Sequence, residues 1–200
     1  MMKIMNAIDE YLEESEYIDF SDSAIQKLAL ELKENASDEM ELIRNTYHFV
    51  RDEIPHSWDI QSHTVTAKAS DVLKYKTGIC WAKSNLLAAL LRANGIPCGI
   101  GYQKLTLGDT ADTGFCIHSL NAIYVKSIGK WVRVDARGNK PGIDAQLCLD
   151  KEQLAFAIRE EIGEVDFGEI YARPSQKLMN VLDSNEDAIK MYAKYLPDTL

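Results

Sequence analysis

A helix that is apolar at Leu86, Leu87, Leu90 and Leu91, stopped at Gly95 and barred from restarting by Pro97, divides this chain into two regions of different period. Upstream, apolar residues recur at helical spacing. Downstream, they follow the two-residue period of strands. A chain that runs helices first and an antiparallel sheet second belongs to the α+β class. So apolar a helix must be largely buried, which makes it a rigid place to hold its first residue. That residue is Cys80, which follows the glycine turn Thr77-Gly78-Ile79.

Before this helix, Glu10 to Glu16 reads as an acidic arm, loose or helical. Ser21-Asp22-Ser23 caps an amphipathic helix over Ala24 to Leu32, and Asp38 with Glu41 stands at capping-box separation for the next one. Ile43, Tyr47, Val50 and Ile54 form a single stripe of that second helix, which Pro55 ends. His56 to His63 is a polar loop, and Ser70 is the expected cap of a short helix over Asp71 to Tyr75. After Pro97, strands are expected over Gly99 to Leu105, Cys116 to Val125 and Trp131 to Asp135. Helices return over Leu154 to Ile162, Pro174 to Leu182 and Glu186 to Tyr195. We expect a single domain over residues 1–200, with a helical C-terminal extension over about 150–200.

The 200 residues are 46% hydrophobic and 26% charged, with a formal charge of −9, ordinary for a soluble globular protein. The acidic balance, with no Lys/Arg-rich stripe, argues against nucleic acid or anionic membrane as a partner. The first ten residues turn acidic before any apolar signal core develops, and no apolar run approaches membrane-spanning length. A cytoplasmic location is expected, with Cys80, Cys98, Cys116 and Cys148 as free thiols.

A thiol at a helix N-terminus meets unpaired backbone N–H groups and the positive end of the macrodipole, both of which favour the reactive thiolate. His118 and Asp135 fall on the two strands that follow. Cysteine, histidine and aspartate are a nucleophile, its base and the group that orients the base. If the hairpin pairs Val125 with Lys130, then His118 lies opposite Arg137 and Leu120 opposite Asp135. His118 and Asp135 then share a face as diagonal neighbours, and a slip of one residue would separate them. The Cys80 backbone N–H is the natural first donor to a tetrahedral oxyanion, with the Trp58 indole or the Gln61 amide as candidates for the second. Trp81 is a candidate wall or substrate contact. Each element also has a plain structural reading, since helix-start cysteines and strand histidines usually only pack. Cys116-x-His118 has no second paired motif to complete a structural zinc site, so neither metal nor cofactor is expected. No phosphate loop, serine elbow or dinucleotide fingerprint is present.

The segment from Lys76-Thr77-Gly78-Ile79-Cys80-Trp81 through Gly95-Ile96-Pro97 resembles the nucleophile segment of the transglutaminase-like superfamily. His118 to Val125 is similar to its histidine strand and Trp131 to Asp135 to its aspartate strand. Val50-Arg51-Asp52-Glu53-Ile54-Pro55 resembles the helix end that precedes the site in small bacterial members. The likeness covers about residues 40–140. It implies a papain-like α+β core, with the nucleophile helix packed on an antiparallel sheet and extra helices at both ends. It also implies a Cys80–His118–Asp135 triad acting on a peptide, protein or small amide without a metal. Ala136-Arg137-Gly138-Asn139 stands where many relatives continue with proline. The chain lacks the added β-sandwich domains of the calcium-dependent cross-linking enzymes and an Arg-Gly-Gly lead of the arylamine acetyltransferase type. Because water is always available as the second-step acceptor and no dedicated amine site is visible, hydrolysis is the first expectation, transfer to an amine the second, and a non-catalytic binding module the alternative. Ile189, Tyr192, Tyr195 and Leu196 on the last helix could pack on their own core or on a second copy in a homodimer.

Overall fold

The computed structural model describes residues 2–108 and 110–200. In chain order the elements are β1 (Lys3–Ile4), α1 (Ser23–Glu34), α2 (Glu39–His48), α3 (Ala69–Tyr75), α4 (Cys80–Ala93), β2 (Cys98–Thr106), β3 (Phe115–Val125), β4 (Lys130–Val134), β5 (Val165–Tyr171), α5 (Gln176–Asp183) and α6 (Ala188–Lys194). The sheet runs β1-β5-β2-β3-β4; β1 and β5 are parallel, and every other pair is antiparallel.

α4 is the centre of the molecule. Leu86, Leu87, Leu90 and Leu91 are fully buried, as their spacing requires. Gly95 adopts φ +74 and the Ile96 amide reaches back to the Leu91 carbonyl at 3.0 Å, which closes the helix. The helix lies on one face of the sheet: Ser119 bonds Ser84 side chain to side chain at 3.1 Å, and Asn121 Nδ2 donates to the Ser84 carbonyl at 3.0 Å. Leu120, between them in sequence, faces the other way. The β3–β4 hairpin pairs Val125 with Lys130 and Asn121 with Val134, the register that puts His118 and Asp135 on one face.

α1 begins after the Asp22 cap, whose carboxylate accepts from the Ala24 and Ile25 amides. Asp38 likewise caps α2, while the Glu41 side chain turns to Ser37. Ile43, Tyr47, Val50 and Ile54 are all fully buried. The helix they mark is not uniform, because α2 ends at His48 and continues as a π turn over Phe49–Glu53. α3 starts one residue before Ser70. That serine caps nothing; its amide and hydroxyl both bond Asp19 of the N-terminal arm. The acidic arm is anchored by Tyr11 and Tyr17, both buried.

The expected helix over Leu154 to Ile162 is absent. That stretch is irregular, with one 3-10 turn at Glu160–Ile162, and leads into β5, the strand that joins β1 to β2. The Ala155 amide donates to the Asp135 carboxylate at 3.2 Å, which ties this stretch to the end of the hairpin. Gly168, at φ +75, weakens the alternation by which β5 could be read. The C-terminal region is thus part strand, and it is built into the main core through Leu178, Met179, Leu182 and Met191. α5 begins after Ser175 rather than at Pro174, and α6 after the Asp187 cap. Beyond α6, the Pro197 carbonyl accepts from the Ile117 amide at 3.0 Å.

Candidate active site

Cys80 is the first residue of α4, and Ile79 before it supplies no side-chain cap. The first-turn amides are therefore uncapped at the thiol. His118 and Asp135 are buried, with His118 Nε2 2.7 Å from Asp135 Oδ2. The carboxylate also accepts from the Ala155 amide at 3.2 Å and the Arg137 amide at 3.0 Å, while the Tyr47 hydroxyl donates to the Asp135 carbonyl at 3.1 Å. Burial opposes the charge on Asp135, but His118 and these donors outweigh it and lower the carboxyl pKa. Burial likewise opposes a charged His118, and the adjacent Asp135 and Cys80 outweigh it and raise the imidazole pKa. With Nε2 on Asp135, Nδ1 is left for Cys80. Phe156 closes the ring from the side, edge-on at 5.0 Å.

A cavity of about 670 Å³ opens over these residues. His56, Trp58, Cys80, Trp81, Cys116 and His118 form its polar and aromatic wall, and Leu105, Leu107, Ile143 and Leu196 its apolar side. Trp58 lies flat on Tyr192 of α6, with centroids 4.5 Å apart. Trp81 is buried and spends its indole N–H on the Ile117 carbonyl at 2.8 Å. Gln61 is not brought to the site: its backbone is left-handed and its side-chain amide donates to the Trp58 carbonyl at 2.5 Å. Cys116 shares the wall, and burial pushes its thiol up to about 12. No three His, Cys, Asp or Glu side chains converge as metal ligands among the described residues.

Several supports had no expected role. Arg137 makes a two-pronged pair with Asp59, at 2.5 and 2.9 Å, and Lys140 joins the same carboxylate at 2.6 Å. Burial works against that carboxylate, but hydrogen bonds from Arg137 and Lys140 bring its pKa down to about 2. Lys83, fully buried one turn below Cys80, donates to the carbonyls of Ile54, Arg137 (2.9 Å) and Arg51 (3.4 Å). Burial brings its pKa down to about 7. A lysine inside a helix marked for burial by Leu86, Leu87, Leu90 and Leu91 was a legible signal; His56, buried against Gly78, gave none in the sequence.

The profile of the Transglutaminase-like superfamily matches residues 26–136, more than half of the chain, including Cys80, His118 and Asp135. The chain belongs to this superfamily. It is a cysteine-dependent catalytic family, and solved structures with this fold include a candidate cysteine protease from Cytophaga hutchinsonii. That structure is 21% identical, with the match covering 65% of this chain and 42% of that one at a TM-score of 0.51. The periplasmic domain of TgpA from Pseudomonas aeruginosa, bound to ethylmercury, matches at 16% identity over 63% and 46% of the two chains, with a TM-score of 0.47. This chain therefore spans less than half the length of either structure. No curated protein matches it.

Proposed function

We propose that this transglutaminase-like chain hydrolyses a peptide or amide bond through a thioester on Cys80. The observation that carries the reading is the 2.7 Å bond between His118 and Asp135, in the wall of the cavity that Cys80 also lines. Sγ attacks the acyl carbon, and its proton goes to His118 Nδ1. The imidazolium, held by Asp135, returns the proton to the leaving amine as the carbon–nitrogen bond breaks. Water then loses a proton to His118 and attacks the thioester; carboxylate leaves and the thiol is restored. The first oxyanion donor is the Cys80 backbone N–H. Water is the acceptor we favour, with transfer to an amine as the second outcome of the same thioester.

The test is peptide-resolved labelling by iodoacetamide against pH, with Cys98, Cys116 and Cys148 as internal references. Fast labelling of Cys80 well below pH 8, lost in His118→Ala, is the expected result. An accessible Cys80 with the profile of an ordinary thiol, indifferent to that substitution, would leave a binding module in place of an enzyme.

A further inference from the structure

The loop before α3 contributes a histidine that the mechanism above does not use. His56 pairs with Gly78 as a parallel bridge, Ser57 donates to the Gly78 carbonyl at 3.1 Å, and the Ser57 and Thr77 hydroxyls meet at 3.1 Å. The loop is thus stitched alongside the turn that delivers Cys80, and the imidazole becomes part of the cavity wall. Tyr192 fixes the ring from its edge, 6.2 Å between centroids.

The hydrogen bonding settles which nitrogen carries the proton. His56 Nδ1 accepts from the Trp58 amide at 3.3 Å, so Nδ1 is bare and Nε2 holds the hydrogen. A second proton is opposed by burial first, then by the nearby Arg137 and Lys83 charges, so the ring is a neutral donor. Among the described residues, Nε2–H meets no protein acceptor. Nε2 is not sealed in the core but opens on the cavity, where a ligand oxygen can accept its hydrogen.

We infer that His56 Nε2–H is the second donor to the oxyanion formed when Cys80 is acylated, a role that rests on the thioester chemistry proposed above. As Sγ bonds the carbonyl carbon, the C=O electron pair moves onto oxygen. His56 and the Cys80 amide hold that charge without giving up a proton. Collapse of the intermediate re-forms the C=O bond and expels the leaving group. The Trp58 indole, flat against Tyr192, is the competing donor.

Two reagents separate this role from packing. p-Nitrophenyl acetate acylates a thiol through a tetrahedral oxyanion; methyl methanethiosulfonate reacts at sulfur and forms none. His56→Phe is expected to slow acylation of Cys80 about 100-fold while leaving thiosulfonate modification unchanged. His56→Gln, which restores an N–H, is expected to recover part of the loss. Equal slowing of both reactions, no slowing of acylation, or a selective loss in Trp58→Phe alone would overturn the assignment. A wild-type Cys80 that reacts with the thiosulfonate but never with the ester removes the thioester chemistry itself, and this role with it.

Discussion

Asp135 accepts hydrogen bonds from His118, Ala155 and Arg137, and no water is needed to satisfy it. Asp135→Asn would place donors against donors there, so acyl transfer should fall on the order of 10³-fold or more. In that variant the imidazolium of His118 should also lose its proton at lower pH, because the charge that raises its pKa is gone; ring NMR against pH reads this directly. Asp59 gives a second dependence. Its folded pKa of about 2 lies below the unfolded value, so its stabilisation is full above about pH 4 and is lost as the pH falls toward 2. Wild type should lose about 1–2 kcal/mol more than Asp59→Asn over that window, discounted for the solvent Asp59 still meets. Denaturant unfolding at several pH values measures the difference. At this scale Cys80, His118 and Asp135 were legible because a helix start and a hairpin register carry directional information. The turning of Gln61 away from the cavity was not, because in a loop no period says where a side chain goes.

The π turn at Phe49–Glu53 shows its purpose through Lys83, which gathers the carbonyls of Arg51 and Ile54 there together with that of Arg137. One ammonium therefore joins the nucleophile helix, the approach to the His56 loop and the turn after Asp135. Lys83→Met would leave those buried carbonyls without a donor and lower stability by roughly 2 kcal/mol, after allowing for the desolvation of the lysine that is no longer paid. Equilibrium unfolding tests that figure. α4 and the β3–β4 hairpin could be read from pattern because local period and burial agree in them. Residues 154–162 could not: Ala155 is tied to Asp135, twenty positions earlier, and local propensity carries no trace of such a partner.

Across the molecule, the N-terminal arm, the exit of α4 and the end of β5 meet at Arg92. Its guanidinium donates to the carbonyls of Glu13 at 2.7 Å, Cys98 at 2.6 and 3.0 Å, and Ala172 at 2.6 Å. Close by, Gly99 leaves room for Ile170 and Tyr11, where a Cβ would stand 2.8 Å from the tyrosine ring. A chain cut after Leu149 would lose β5, the Ala155 donor and the helices that complete the core. It should lack a cooperative thermal transition by circular dichroism. The α+β layering was legible because it follows from the order of the elements; the place of β5 between β1 and β2 was not, since that pairing is entirely non-local. The last residues carry one more consequence. Ile117, beside His118, gives its amide to Pro197 and its carbonyl to Trp81, so both backbone groups are occupied on that margin of the sheet. A polypeptide arriving there finds the Ile117 position of the ladder already taken by the chain's own C-terminal segment and α4.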